Sequence, residues 1–90
     1  MKASIVIPAH NEAGCIRSTL EAVRFQHLPG EEYEIIVVDN ASTDETPDIA
    51  RGFHGVRVIH ESRKGLLHAR EAGRKAAQGE IIVQLDADSI

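Results

Sequence analysis

Apolar residues recur along this chain in two spacings that alternate from one end to the other. Short Val/Ile-rich runs centred on Ile5-Val6-Ile7, Ile35-Ile36-Val37-Val38, Val56–Ile59 and Ile81-Ile82-Val83 predict strands at Ala3–Pro8, Tyr33–Asp39, Val56–His60 and Glu80–Leu85. The first two are apolar on both faces, as strands covered by helices on each side should be. Between them, Ile16, Leu20 and Val23 are spaced by four and three residues, which predicts a helix from Glu12 to about Phe25, broken by Leu28-Pro29-Gly30. Ser42 with Glu45 fits a capping box and Pro47 suits a first helical turn, so a short helix is expected to end near Arg51-Gly52. A third helix is expected over Leu66–Ala77, with Gly79 as its stop.

Strands alternating with helices imply an α/β fold with a mostly parallel sheet. If the strands step outward and the fourth returns beside the first, the order is 3-2-1-4. The switch point then lies between strands one and four, where open α/β sheets bind ligands at the carboxyl ends of their strands.

Composition narrows this picture. Aromatics are only 3% of residues against 42% hydrophobic, so the core is expected to be aliphatic. Ninety residues make one domain at most, and such a chain buries only about 60–65% of its unfolded surface. No repeat or linker divides it, and a sheet whose sequence stops two residues after its last motif reads as a partial domain over residues 1–90. A net charge of −4 without a basic stripe argues against a nucleic-acid surface. The apolar runs are far shorter than the about 20 residues of a membrane span, and the amino terminus lacks the pattern of a signal peptide. Cys15, the single cysteine, permits no intrachain disulfide and reads as a small buried hydrophobe.

Three strand ends carry the candidate chemistry: Pro8-Ala9-His10-Asn11-Glu12, Asp39-Asn40 and Asp86-Ala87-Asp88. Asp86 and Asp88 are two residues apart, so in strand geometry their carboxylates project to one side, where a hard divalent cation would relieve their repulsion. Asp39 is read either as an acceptor for a ligand's base or ribose or as a cap on the Ser42 and Thr43 amides. Asn11 and Glu12 serve equally well as ligand contacts or as helix-start residues. Neither Gly-x-Gly-x-x-Gly nor a P-loop is present, which leaves a metal as the simplest neutraliser of a bound phosphate. Arg63, Lys64 and Arg70 are read first as ordinary solvated charges and otherwise as cations that assist a leaving diphosphate, Arg70 foremost. Of five histidines only His10 falls in a site loop, and the others lack zinc-ligand spacing.

Four ordered segments, Ser4-Ile5-Val6-Ile7-Pro8-Ala9-His10-Asn11-Glu12, Glu34–Asp44, Ala69-Arg70-Glu71-Ala72-Gly73 and Gly79–Asp88, together resemble family 2 glycosyltransferases of the GT-A fold. The resemblance implies a uridine or guanosine diphosphate sugar as donor and Mn²⁺ or Mg²⁺ as cofactor. It implies that Pro8, Ala9, Asn11 and Glu12 line the nucleoside and that Asp39 contacts the base. Asp86 and Asp88 would handle ribose and metal-bound diphosphate, with Arg70 facing the phosphates. The family reaction is inverting, and its general base and acceptor site lie downstream in the family pattern, so this chain by itself is expected to bind donor and transfer little. Asn40 departs from the two consecutive acids common in the family, leaving one carboxylate fewer near the nucleoside. A non-catalytic binding or interaction module of the same fold is the alternative, whereas a sugar nucleotidyltransferase should carry a Gly-rich loop after strand one. The expected location is cytoplasmic, with the inner face of a membrane as a site for the full-length parent.

Overall fold

The computed structural model describes residues 3–26 and 33–86. In chain order the elements are β1 (Ala3–Ala9), α1 (Ile16–Gln26), β2 (Tyr33–Asp39), α2 (Thr46–Arg51), β3 (Val56–His60), α3 (Leu66–Ala76) and β4 (Ile81–Gln84). The four strands form one parallel sheet in the order β3-β2-β1-β4, as the sequence pattern predicts. Register brings Ala9, Asp39 and His60 into one row at the carboxyl ends of β1, β2 and β3.

Both faces of the central strands are covered, which is why their sequences do not alternate. Ile5, Ile7, Ile35 and Val37 pack with Ile16, Leu20 and Val23 of α1 and Ala50 of α2. Val6, Ile36 and Val38 pack on the other face with Ala69 of α3. The second face is thinner because α3 approaches through small residues. A β-carbon at Gly73 would drive into the Val6 side chain and crowd Val38. β4 lies at the sheet edge, and Ile81, Ile82 and Val83 are exposed among the described residues.

Beyond shifts of a residue at several element ends, three local expectations from the sequence do not hold. α1 starts at Ile16 instead of Glu12, because residues 12–15 form a turn in which the amides of Cys15 and Ile16 both donate to the Glu12 carbonyl (2.9 and 2.8 Å). The amides of Glu12 and Ala13 are taken by side chains of a neighbouring loop. The Ser42–Glu45 capping box does not form. Glu45 holds the cap position without a side-chain cap bond, Ser42 Oγ accepts from the Asn11 amide, and it is Asp44 that accepts from the Thr46 amide (2.9 Å). Nor does Gly79 end a helix. α3 gives way to extended backbone at Ala77 (φ −67°, ψ 135°), and Gly79 is needed because a β-carbon there would sit 2.5 Å from the Ala3 carbonyl carbon.

At the amino-terminal edge of the sheet, Ser4 and Glu34 fasten the α3–β4 connection. The buried Ser4 hydroxyl donates to Glu34 Oε2 (2.6 Å) and accepts from the Gly79 amide (2.8 Å). The Gln78 amide donates to the same carboxylate oxygen (2.6 Å), and Arg57 lies 3.5 Å from the other. Burial alone would raise the Glu34 pKa, but Ser4, the Gln78 amide and Arg57 together hold it below its ordinary value.

Two outcomes follow. Gly73→Ala should lower stability by about 1–3 kcal/mol in urea denaturation, although Ala is the better helix former, because the added methyl overpacks Val6. A carboxyl whose pKa is depressed by folding stabilises the native state above its unfolded pKa and loses that contribution as pH falls through the folded value. Stability should therefore decline as pH drops below the ordinary carboxylate range. In Glu34→Gln the neutral-pH stability should be lower and this acid slope shallower.

Candidate functional site

β1, β2 and β4 lead at their carboxyl ends into an open cavity of about 440 Å³. The β1 end supplies Pro8, Ala9, His10 and Glu12, and the β2 end supplies Asn40. Lys64 and Gly65 come from the loop after β3, Leu66 and Ala69 from α3, and Asp86 from the end of β4. This is the switch-point crevice between β1 and β4 that the strand order requires.

The loops after β1 and β2 are fastened to each other by side chains. Asn11, at φ +52°, gives its amide to Ser42 Oγ (3.0 Å), and its Oδ1 accepts from the Thr43 amide (2.7 Å). Thr46 Oγ1 accepts from the Glu12 amide (2.9 Å) and donates to Asp44. His10 Nδ1 lies 2.6 Å from the Asn40 carbonyl oxygen. Since a carbonyl only accepts, Nδ1 carries a proton. Asn11 thus binds the two loops together and does not line the cavity.

Asp39 is buried, and both its carboxylate oxygens are engaged: Oδ1 accepts from the Ser42 amide (3.2 Å) and Oδ2 lies 2.8 Å from His60 Nδ1. The turn-capping role considered for Asp39 is thereby present, through Ser42. His60 carries no motif in the sequence; the parallel register that sets it level with Asp39 is the signal that could have found it.

The three candidate cations separate. Arg63 folds onto Glu61, placing its amide, Nε and Nη2 at 2.8, 3.1 and 3.0 Å from the carboxylate. That Arg63 side chain holds the Glu61 carboxyl down to about 2. Lys64 lines the cavity and has no ion-pair or hydrogen-bond partner among the described residues. Arg70 is exposed on α3 outside the lining.

Asp86 is an exposed carboxylate on the cavity, likewise unpaired among the described residues, while Asp88 lies outside them. No cluster of three or more His, Cys, Asp or Glu exists among the described residues. The Asp86 carboxylate is a hard oxygen donor that fits a cation taking most of its ligands from phosphate and water. No helix among the described residues is long and apolar enough to cross a membrane.

The model of the family described as "Glycosyl transferase family 2" matches residues 4–90. The glycosyltransferase AglE of Haloferax volcanii is 39% identical over 90 residues, which span 94% of this chain and 30% of AglE. Among solved structures, the mannosyltransferase PcManGT from Pyrobaculum calidifontis in complex with GDP-Man and Mn²⁺ superposes with a TM-score of 0.88 at 35% identity. The match covers 97% of this chain and 27% of that one. S. aureus TarS 1-349 in complex with UDP gives a TM-score of 0.90 at 30% identity, covering 98% and 28%. The chain therefore spans less than a third of the length of these relatives.

Thr46 is fully buried and joins the two loops. Thr46→Val keeps the shape but strands the Glu12 amide, while Asp44 keeps the Thr46 and Ala13 amides, so thermal unfolding should show a loss of about 1–3 kcal/mol.

Proposed function

The chain belongs to glycosyl transferase family 2 and has its GT-A fold, and we propose that it is the donor-binding part of an enzyme that takes a uridine or guanosine diphosphate sugar through a divalent metal, Mn²⁺ or Mg²⁺. The observation that carries this reading is the convergence of the β1, β2 and β4 ends on one cavity holding the exposed Asp86 and Lys64, both unpaired among the described residues. The PcManGT complex with GDP-Man and Mn²⁺ and the TarS complex with UDP support the ligand class.

In this reading Pro8, Ala9 and Glu12 form the nucleoside wall. Asn11 keeps that wall in place from behind, and Asp39 presents the base with a carboxylate already oriented by Ser42 and His60. Asp86 takes the ribose and, with Asp88, the metal-bound diphosphate, and Arg70 reaches the phosphates from beside the lining Ala69. A bound divalent metal would supply Lewis-acid stabilisation of the charge that develops on the departing diphosphate. An acidic chain gains most from such an ion, since its own net charge of −4 opposes an anionic ligand. We propose that the sugar passes to an acceptor hydroxyl with inversion in the full-length enzyme, and that residues 1–90 alone bind donor as a partial domain without turning it over.

Calorimetric titration with UDP and with GDP, each with Mn²⁺ or with EDTA, tests the reading. Binding should require Mn²⁺. In Asp86→Ala and Asp88→Ala it should weaken roughly 10- to 100-fold, the worth of a lost charge-assisted contact. Equal affinity in Mn²⁺ and in EDTA would sink the metal-bridged site.

A further inference from the structure

The side chain of Asn40 uses its whole amide on the loop that follows β3. Nδ2 donates to the carbonyl oxygens of Glu61 (3.1 Å) and Arg63 (2.8 Å), and Oδ1 accepts from the Gly65 amide (2.9 Å). Two carbonyls on one side and an N–H on the other admit a single orientation of the amide. Asn40 is itself pinned to the end of β1. Its own amide donates to the Ala9 carbonyl (2.8 Å), its carbonyl accepts from His10, and it is buried, with 5% exposure. The loop is thus located against the Pro8–Glu12 wall through one side chain. It turns into α3 at Gly65, whose φ of +128° suits no other residue.

We infer that Asn40 is a positioning residue, holding residues 61–65 so that Lys64 faces the phosphates of the donor. This inference rests on the donor-site reading above. Within the loop Arg63 is already neutralised by Glu61, which leaves Lys64 as its one cation unpaired among the described residues, and Lys64 lines the cavity together with Asn40 and Asp86. An aspartate at position 40 could not do the same. An ionised carboxylate only accepts, and it would face two carbonyl oxygens at hydrogen-bonding distance. The departure from two consecutive acids therefore acts through the loop that carries Lys64.

The experiment measures Mn²⁺-dependent affinity for UDP, and for GDP if it binds more tightly, alongside the bare nucleoside. The proteins are wild type, Asn40→Ala, Lys64→Met and the double variant. Asn40→Ala and Lys64→Met should each weaken the nucleoside diphosphate roughly fivefold, the scale of one exposed charge contact, and leave the nucleoside unchanged. In the Lys64→Met background the Asn40→Ala loss should vanish, because Asn40 acts through Lys64. A loss that persists there, or that falls equally on the nucleoside, overturns the inference. Should Asn40→Ala fail to fold, the exposed Lys64→Met decides alone, and unchanged affinity for the nucleoside diphosphate overturns the proposal. A wild-type chain that binds neither nucleoside diphosphate would overturn the donor-site reading as well, which separates the two failures.

Discussion

Backbone amides that leave a strand must find acceptors, and in this protein those leaving β1 find them on the side chains of the loop that leaves β2. Ser42, Asp44 and Thr46 accept from the amides of Asn11, Ala13 and Glu12. In return Asn11 Oδ1 accepts from the Thr43 amide. Two adjacent parallel strands can be followed by loops that diverge, but these loops are joined into one wall. The cavity depends on that wall. Pro8 and Ala9 are held in β1 by the sheet, but without the joined loops His10 and Glu12 would be borne on a loose connection.

The same economy governs charge. Several acidic groups are consumed internally: Glu34 by Ser4, Gln78 and Arg57, Glu61 by Arg63, Glu71 by Arg74. What remains open on the cavity is therefore selective, with Asp86 on one element and Lys64 on another, each without a partner among the described residues. A site that must hold an anion in an acidic protein is served by such a remainder, because unpaired groups retain their full interaction with a ligand or ion. Charges already paired inside the protein offer only a fraction of theirs.

Packing places this remainder. α3 descends onto β1 and β2 through Ala69 and Gly73, so closely that a β-carbon at Gly73 has no room. That close approach brings Leu66 and Ala69 to the cavity. The opposite face, filled by Ile16, Leu20 and Val23, carries the bulk of the aliphatic core and leaves the α3 side free to form the crevice.

Much was legible from residue order. Apolar runs on both faces gave the covered strands. Their alternation with helical spacing gave a parallel sheet, and the outward stepping of a doubly wound sheet, with the fourth strand returning beside the first, gave the order 3-2-1-4, hence the place of the crevice. Four ordered motifs gave the family. What residue order could not decide was which partner each polar group takes. Ser42 was available as a cap yet serves Asn11, Gly79 resembles a helix stop yet makes room for β1, and the Asn40 amide, a departure in the motif, is the clamp on residues 61–65. Periodicity is a local property and survives in the sequence. Hydrogen bonds between residues 21 to 75 positions apart exist only once the sheet has brought them within about 3 Å, and it is these that turn a predictable fold into a particular site.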